Sequence, residues 1–167
     1  MVFIKSAEYS DLQIVHDLAH KIWPSAYGDI LSSDQLEYML HQIYSIASLQ
    51  NQFENLHHNF CIVFDEDIPI GFASFSPKEK DHTIYKLHKL YVLPQQQGAG
   101  TGKLLLNYII NSIKKTGATI LELNVNRSNK ARSFYEKCGF KIIREEDIDI
   151  GQEYFMNDYI MQLNVGE

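Results

Sequence analysis

The sequence is poor in cysteine, in basic residues and in long apolar stretches. Its two cysteines, Cys61 and Cys138, form no pattern typical of a disulfide framework or a metal site, and they suit a reducing compartment. Fifteen Lys and Arg residues stand against 21 Asp and Glu residues, and the net charge of −6 argues against a general nucleic-acid binder. The longest apolar run, residues 104–113, is far shorter than the roughly 20 residues that span a membrane. These shortages predict a cytoplasmic protein that binds neither nucleic acid nor membranes.

The remaining composition is that of a globular protein. Hydrophobic residues make up 45% of the 167 residues and charged residues 22%, so neither disorder nor a fibrous class is indicated. A chain of this length can bury about 70% of the surface that its unfolded form exposes. We therefore expect one domain that covers residues 1–164.

Hydrophobic periodicity divides the chain into helices and strands. A short strand at residues 2–4 precedes a helix that Ser10 and Asp11 begin and Pro24 ends. The aromatic segment 23–30 either packs the helix ends or forms the wall of a substrate pocket. The further predicted elements are helices at residues 32–50 and 128–137, a long helix that ends near residue 116, strands at residues 60–64, 68–76, 83–93, 118–125, 141–145 and 155–164, and an acidic loop at residues 146–153.

The strongest local signal is the stretch HKLYVLPQQQGAGTGK at residues 88–103. A strand runs into a loop that contains Gly98, Gly100 and Gly102, and a helix follows. Three glycines inside a helix would cost roughly 3 kcal/mol relative to alanine, so they mark either a plain turn or a backbone that approaches a ligand closely. Because a helix N-terminus offers free N–H groups, the loop suits a pyrophosphate.

The strands on either side of this helix should pair in parallel through a right-handed crossover. If the two strands splay apart beyond their paired part, backbone groups remain free to bind an extended, amide-containing ligand. A pantetheine arm is a ligand of this kind.

Spacing separates the loop from two common phosphate-binding motifs. A Walker loop needs GxxxxGK followed by Ser or Thr, whereas Gly102-Lys103 is followed by Leu104. Gln97 also occupies the first glycine position of that motif. A dinucleotide fingerprint needs GxGxxG, and the glycines here are one residue out of that register.

Two ordered motifs connect the glycine-rich loop with a later helix. LYVLP at residues 90–94 and QGAGTG at residues 97–102 are followed by NKA at residues 129–131 and FYEKCGF at residues 134–140. Together these motifs resemble the GNAT superfamily of acyl-CoA-dependent N-acetyltransferases, and the resemblance covers residues 2–164. It implies an α/β (α+β) fold with a central mixed, mostly antiparallel sheet of about seven strands flanked by about four helices.

The resemblance also implies acetyl-CoA as the cofactor, with no metal, and direct attack of an amine on the thioester. Tyr135 would protonate the departing thiolate, and the backbone N–H near Val92 would polarise the thioester carbonyl. Asn129, and Asn126 as a further candidate, would contact the pantetheine arm. The residues that the resemblance assigns to cofactor binding are Leu90, Tyr91, Val92, Gln97, Gly98, Ala99, Gly100, Thr101, Gly102, Lys103, Asn129 and Tyr135.

The base that removes the proton of the amine is less constrained. His88 stands where a number of family members carry Glu, and a reference pKa near 6.5 makes histidine a workable base at neutral pH. Glu122 on the next strand, Tyr85 and a water chain are the alternatives. We expect His88→Ala to lower kcat and to spare acetyl-CoA binding.

The acceptor amine stays open at this point. The net acidity and the early helix, aromatic turn and helix resemble polyamine acetyltransferases, which favours a polyamine or another small cationic amine. The acidic residues 145–149 could attract such an amine. A protein N-terminus or a lysine is the alternative acceptor, and a non-catalytic acyl-CoA-binding sensor is the alternative function. Family members often pair through their late strands, so a homodimer is a further expectation.

Overall fold

The computed structural model describes residues 1–166, in which seven strands and five α-helices form the fold. The helices are α1 (Leu12–Tyr27), α2 (Ser33–Tyr44), α3 (Ile46–Glu54), α4 (Thr101–Lys114) and α5 (Ala131–Lys137). The strands are β1 (Val2–Ser6), β2 (Asn59–Asp65), β3 (Ile68–Pro77), β4 (Ile84–Val92), β5 (Ile120–Asn126), β6 (Lys141–Gly151) and β7 (Tyr154–Asn164).

The strands form one sheet in the order β1-β2-β3-β4-β5-β7-β6. All neighbouring strands are antiparallel except β4 and β5, which are parallel. Parallel neighbours need a crossover connection, and α4 lies in the connection between β4 and β5. The predicted mixed, mostly antiparallel sheet and its parallel pair are therefore confirmed.

Apolar side chains cover both faces of the sheet. On one face, helices α1 to α3 bury residues such as Val15 and Leu49 against Phe72 of β3. On the other face, α4 buries Leu105 and Ile109 in a cluster that also includes side chains of α5. Each long helix is amphipathic, so its apolar stripe determines which side faces the sheet.

Helix α1 continues through Pro24 instead of ending there. Trp23 and Tyr27 are both buried, and their ring centroids lie 4.4 Å apart. Burial of two large aromatic side chains offsets the roughly 3 kcal/mol that an interior proline costs a helix. The prediction that Pro24 ends the helix is therefore wrong, and the extra turn carries Tyr27 onto the sheet.

The predicted helix at residues 32–50 is two helices. Ser45 has a ψ of 150°, which breaks α2, and its hydroxyl accepts a hydrogen bond from the Ser48 N–H at 3.2 Å. Serine is a favoured N-cap because its oxygen satisfies a free N–H of the first turn. The break raises the number of helices from about four to five.

The predicted acidic loop at residues 146–153 is also wrong, because β6 and β7 continue through it as a long hairpin. Acidic residues alternate there with Ile148 and Ile150, which is the two-residue period of a strand. The Tyr38 hydroxyl of α2 donates a hydrogen bond to the Ile150 carbonyl at 2.7 Å. This contact holds the end of the hairpin against α2.

Candidate active site

Strands β4 and β5 separate in the middle of the sheet. Their parallel pairing joins Ile84 through Leu87 to Ile120 through Leu123, and it stops there. Both strands continue, β4 to Val92 and β5 to Asn126. The predicted splay is therefore present, and it leaves a wedge-shaped opening lined by unpaired backbone. We call this space the β4–β5 opening.

A β-bulge marks the point at which the strands separate. On β3, Ser74 pairs with Lys89 and the next residue pairs with Leu87, so His88 is the extra residue of β4. The bulge turns two consecutive side chains toward α1–α3. The Lys89 ammonium donates to the Gln52 side-chain oxygen at 2.6 Å, and the ring of His88 stacks on His58.

Beyond the bulge, the backbone of β4 faces the opening. The Leu93 N–H donates to the Ile70 carbonyl of β3 at 2.9 Å. Successive N–H groups of a strand point to opposite edges, so the Val92 N–H points away from β3 and into the β4–β5 opening. Gly71 permits the close approach of β3 and β4, because a Cβ there would lie 2.7 Å from the Tyr91 carbonyl oxygen.

The glycine-rich loop closes one end of this opening. Gly98 and Gly100 have φ angles of 84° and 85°, in the left-handed region where side chains are strained. A Cβ at either position would have nothing within 4 Å, so the glycines are not there to avoid a clash within the protein. Within residues 1–166, no backbone acceptor is present for the N–H groups of Gly98, Gly100, Thr101, Gly102 and Lys103. These amides and the positive end of α4 form a site that suits an anionic group such as a pyrophosphate.

Tyr135 lies on α5 with only 7% of its surface exposed. Its ring makes edge contacts with Phe134 and Phe140. Burial, and then the neighbouring Tyr27 phenol, raise the pKa of Tyr135 well above its ordinary value. The hydroxyl is therefore protonated at neutral pH and can donate a proton or a hydrogen bond.

Tyr27 links the elements that surround the opening. Its hydroxyl shares a hydrogen bond with the Tyr91 hydroxyl of β4 at 2.9 Å, and the Asn129 amide donates to it at 3.4 Å. The Asn129 side-chain oxygen accepts from the Ala131 N–H at 2.9 Å, at the start of α5. The aromatic segment 23–30 therefore packs in the core and also places one hydroxyl between β4 and the start of α5.

The structure places His88 apart from this group. Its Nε2 forms a hydrogen bond with the Ser76 hydroxyl at 2.7 Å, and its ring lies 3.9 Å from that of His58. Burial, the neighbouring His58 and the nearby lysines Lys89 and Lys86 lower the pKa of His88 to about 2. The imidazole is neutral at pH 7 and is a weak proton acceptor. Among residues 1–166, Tyr135 neither stacks on the His88 ring nor forms a hydrogen bond with it.

The other residues considered as a base are engaged elsewhere. The Glu122 carboxylate accepts from Lys78 at 2.9 Å and from Gln162 at 2.8 Å. Burial acts to raise the pKa of Glu122, but these two hydrogen bonds lower it overall. Tyr85 packs on the α4 side of the sheet, where its ring contacts Phe75.

Asn126 has a local structural contact. Its side-chain oxygen accepts from the Ser128 N–H at 2.9 Å and shapes the turn after β5.

One carboxylate of the site, that of Asp158, is not among the residues predicted from the sequence. Asp158 lies in the middle of β7, opposite Asn126 of β5, and only 5% of its surface is exposed. A single charged residue inside an otherwise uncharged strand is the signal that could have identified it, because such residues are seldom buried without a partner.

Two negative findings apply to residues 1–166. No helix among them is long and apolar enough to cross a membrane. The same residues contain no group of three or more His, Cys, Asp or Glu side chains arranged to hold a metal ion.

Comparison with known proteins identifies a family and several relatives. The family model of the acetyltransferase (GNAT) domain matches residues 28–155. A spermidine N(1)-acetyltransferase of Thermoplasma acidophilum is 30% identical over 158 residues, which cover 92% of this chain and 94% of that protein. A ribosomal protein bS18-alanine N-acetyltransferase of Haemophilus influenzae is 33% identical over 122 residues, which cover 72% of this chain and 77% of that protein.

A solved structure shares the whole fold. The PaiA N-acetyltransferase of Thermoplasma acidophilum, crystallised in complex with coenzyme A, superposes with a TM-score of 0.82 at 28% identity. The match covers 98% of this chain and 99% of that one. The fold described above, including both sides of the β4–β5 opening, is therefore similar to that of a protein with bound coenzyme A.

Proposed function

This chain belongs to the GNAT family of acetyltransferases and transfers an acetyl group from acetyl-CoA to an amine nitrogen, and we propose that the amine belongs to a small polycation such as a polyamine. The observation that carries the proposal is the similarity to a spermidine N(1)-acetyltransferase over 92% of this chain. We further propose that residues 1–164 form a single N-acetyltransferase domain.

The proposed position of acetyl-CoA follows from the free backbone groups. The pyrophosphate would bind the free amides of residues 98 and 100–103, where the positive end and the N–H groups of α4 favour an anion. The pantetheine arm would lie in the β4–β5 opening and pair with the exposed edge of β4. This places the thioester near the Val92 N–H, which would stabilise the oxyanion that forms on attack.

Tyr135 is the proposed acid for the departing thiolate. It lies beside Tyr27 in the group of hydroxyls at the opening, and its raised pKa keeps it protonated. The protonated phenol can donate a strong hydrogen bond to the thiolate, with proton transfer completed as the C–S bond breaks. His88, with its pKa lowered to about 2, is not included as a base in this proposal.

Charge supports a cationic acceptor. The net charge is −6, and four acidic residues of β6 stand near the site: Glu145, Glu146, Asp147 and Asp149. Three of them are exposed. Arg127 pairs with Glu145 and Asp147, and Arg144 pairs with Glu146, so four carboxylates stand against two guanidinium groups and the surface keeps a net negative charge. Such a surface raises the local concentration of a polycation and its rate of association.

An N-terminal alanine of a protein is the second candidate acceptor, because the bS18-alanine N-acetyltransferase matches 72% of this chain. An acyl-CoA-binding sensor is disfavoured, since a sensor would tolerate loss of Tyr135 and this chain retains it.

The test is a comparison of acceptors at equal concentration, with thiol release from acetyl-CoA as the readout. We expect spermidine and spermine to give a higher kcat/KM than a peptide that begins with alanine. Salt should lower kcat/KM for the polyamines, because it screens the acidic surface. Faster turnover of the alanine peptide than of any polyamine would contradict the proposed acceptor class and favour the second candidate.

A further inference from the structure

Asp158 is a buried carboxylate that the protein leaves partly unpaired. Its Oδ2 accepts a hydrogen bond from the Asn124 amide at 3.3 Å, a long distance for such a bond. Within residues 1–166, its Oδ1 has no partner, and the Asn124 side-chain oxygen has none either. A buried polar atom without a partner destabilises the fold, so its retention calls for a function.

The cations near Asp158 do not neutralise it. Arg127 forms its ion pairs with Glu145 and Asp147 of β6 instead. Lys86 lies close enough to act on the charge, but among the described residues the two form no ion pair within 4.0 Å. The Asp158 carboxylate is therefore able to accept a cation or a proton from a ligand.

Asp158 belongs to the same group of side chains as the proposed acid. It lies opposite Asn126, in the part of β5 that no longer pairs with β4. Burial and then the Asp158 charge raise the pKa of the Tyr27 phenol, which also hydrogen bonds Tyr91. Tyr27 in turn neighbours Tyr135. The carboxylate and the proposed acid are thus each close enough to Tyr27 for their charges to interact with its phenol.

We propose that Asp158 is the general base that takes the proton of the acceptor's ammonium group, directly or through one water. This inference rests on the proposed function, because it concerns the amine that the enzyme acetylates. None of the residues weighed in the sequence, His88, Glu122 or Tyr85, has an equally free proton-accepting atom at the opening.

The step balances as follows. The ammonium RNH₃⁺ gives one proton to the Asp158 carboxylate, and the freed nitrogen lone pair forms a C–N bond with the thioester carbonyl carbon. The C–S bond then breaks, and the thiolate takes a proton from Tyr135, which recovers one from the acylated nitrogen through the neighbouring hydroxyls. Asp158 returns its proton to solvent, so the products are RNHCOCH₃, CoASH and H⁺.

The charged surroundings of Asp158 suit this role. Burial, and to a smaller extent Glu146 of β6, raise the pKa of the Asp158 carboxyl. The Asn124 hydrogen bond, Lys86 and Arg127 lower it. The net effect is a raised pKa. The charge of Asp158 also acts on the Tyr27 phenol of α1. A carboxylate whose pKa lies closer to neutrality is a stronger base and still ionised at neutral pH.

The test is Asp158→Asn, compared with Asp67→Asn as a matched control. The introduced amide can donate to the unpartnered Asn124 side-chain oxygen, so the variant should fold and bind acetyl-CoA with unchanged affinity. Asp67 lies in the exposed turn between β2 and β3, and its substitution should change kcat/KM by no more than about fivefold. At about pH 7 we expect Asp158→Asn to lower kcat/KM for spermidine by about 100-fold or more.

The readout that separates a base from a structural residue is the dependence on pH. In Asp158→Asn, the rate should rise by about tenfold per unit between about pH 7 and pH 9, as the fraction of unprotonated amine rises. Wild-type enzyme should not show this rise. A loss below fivefold, or an equal loss at both pH values, overturns the role of Asp158 and leaves the proposed function in place. A wild-type enzyme that acetylates no amine overturns both.

Discussion

Gly100→Ala tests whether the glycine-rich loop binds a ligand or only forms a turn before α4. Gly100 caps α4 with a φ of 85°, and a Cβ there would meet nothing within 4 Å. Gly117, just after α4, provides a matched control, since its φ is 89° and its surroundings are equally open. Alanine at either position therefore introduces the same backbone strain and no clash, and the two positions differ only in their distance from the proposed pyrophosphate site.

The expected magnitudes follow from this geometry. A left-handed conformation costs a non-glycine residue about 1 to 2 kcal/mol, so both variants should lose that much free energy of unfolding. Relief of the strain at residue 100 would turn the free amides away from the ligand. Loss of one hydrogen bond to a charged group is worth about 1.5 to 3 kcal/mol, which is roughly a tenfold to 100-fold increase in Kd for acetyl-CoA.

Urea unfolding without ligand gives the first quantity, and titration calorimetry with acetyl-CoA gives the second. We expect equal losses of stability in the two variants and a weaker Kd in Gly100→Ala alone. Gly102→Ala adds a contrast, because a Cβ there makes an ordinary contact of 3.5 Å with Phe134 and the position has no positive φ. It should bind acetyl-CoA normally and be slightly more stable. An unchanged Kd in Gly100→Ala would refute the reasoning and favour a plain turn.

Three further predictions concern the site and its frame. Tyr135→Phe should lower kcat by about 100-fold and leave the Kd for acetyl-CoA unchanged, whereas the control Tyr108→Phe on α4 should change neither. Steady-state kinetics measures kcat and calorimetry measures Kd. Equal kcat values for wild type and Tyr135→Phe would show that Tyr135 is not the acid. Burial holds the pKa of folded His88 at about 2 while the unfolded chain titrates at 6.5, so stability is lost as pH falls below 6.5. Between about pH 7 and pH 5, wild type should lose up to about 2 kcal/mol more than His88→Gln in urea unfolding, and parallel losses would contradict the assignment. Gly71→Ala should lose about 1 to 3 kcal/mol of stability and weaken acetyl-CoA binding, because its Cβ would lie 2.7 Å from the Tyr91 carbonyl oxygen and displace β4; normal binding would show that β4 can move without harm to the site.

The parts of the site that depend on local chain chemistry could be predicted from the sequence. The glycines at 98 and 100 lie in the predicted loop before a helix, where both have a positive φ, and the strands beside α4 pair in parallel and then separate. These features follow from glycine's backbone freedom and from the crossover rule, which act within some 40 residues of chain.

The features that arise from contacts between distant segments could not be predicted. Whether His88 faces Tyr135 or His58 depends on one bulge in β4, and no residue pattern in β4 indicates that bulge. The continuation of α1 past Pro24 depends on Tyr91, which is distant in sequence and hydrogen bonds Tyr27. Asp158 acquires its importance only when β7 is inserted between β5 and β6, a strand order that the chain order does not specify.

The short pairing between β4 and β5 has a consequence for the lifetime of the protein. Among residues 1–166, four residue pairs and the hydrogen bonds of the Thr119 and Ile120 N–H groups to the Thr83 carbonyl join the two parts of the sheet. A ligand that contacts both edges of the opening would add further links between these two parts. Binding is then coupled to folding by mass action, and acetyl-CoA at about 100 times its Kd would add about 2.7 kcal/mol of stability. The acetyl-CoA level in a cell would set both the rate of acetylation and the fraction of molecules that open and reach a protease.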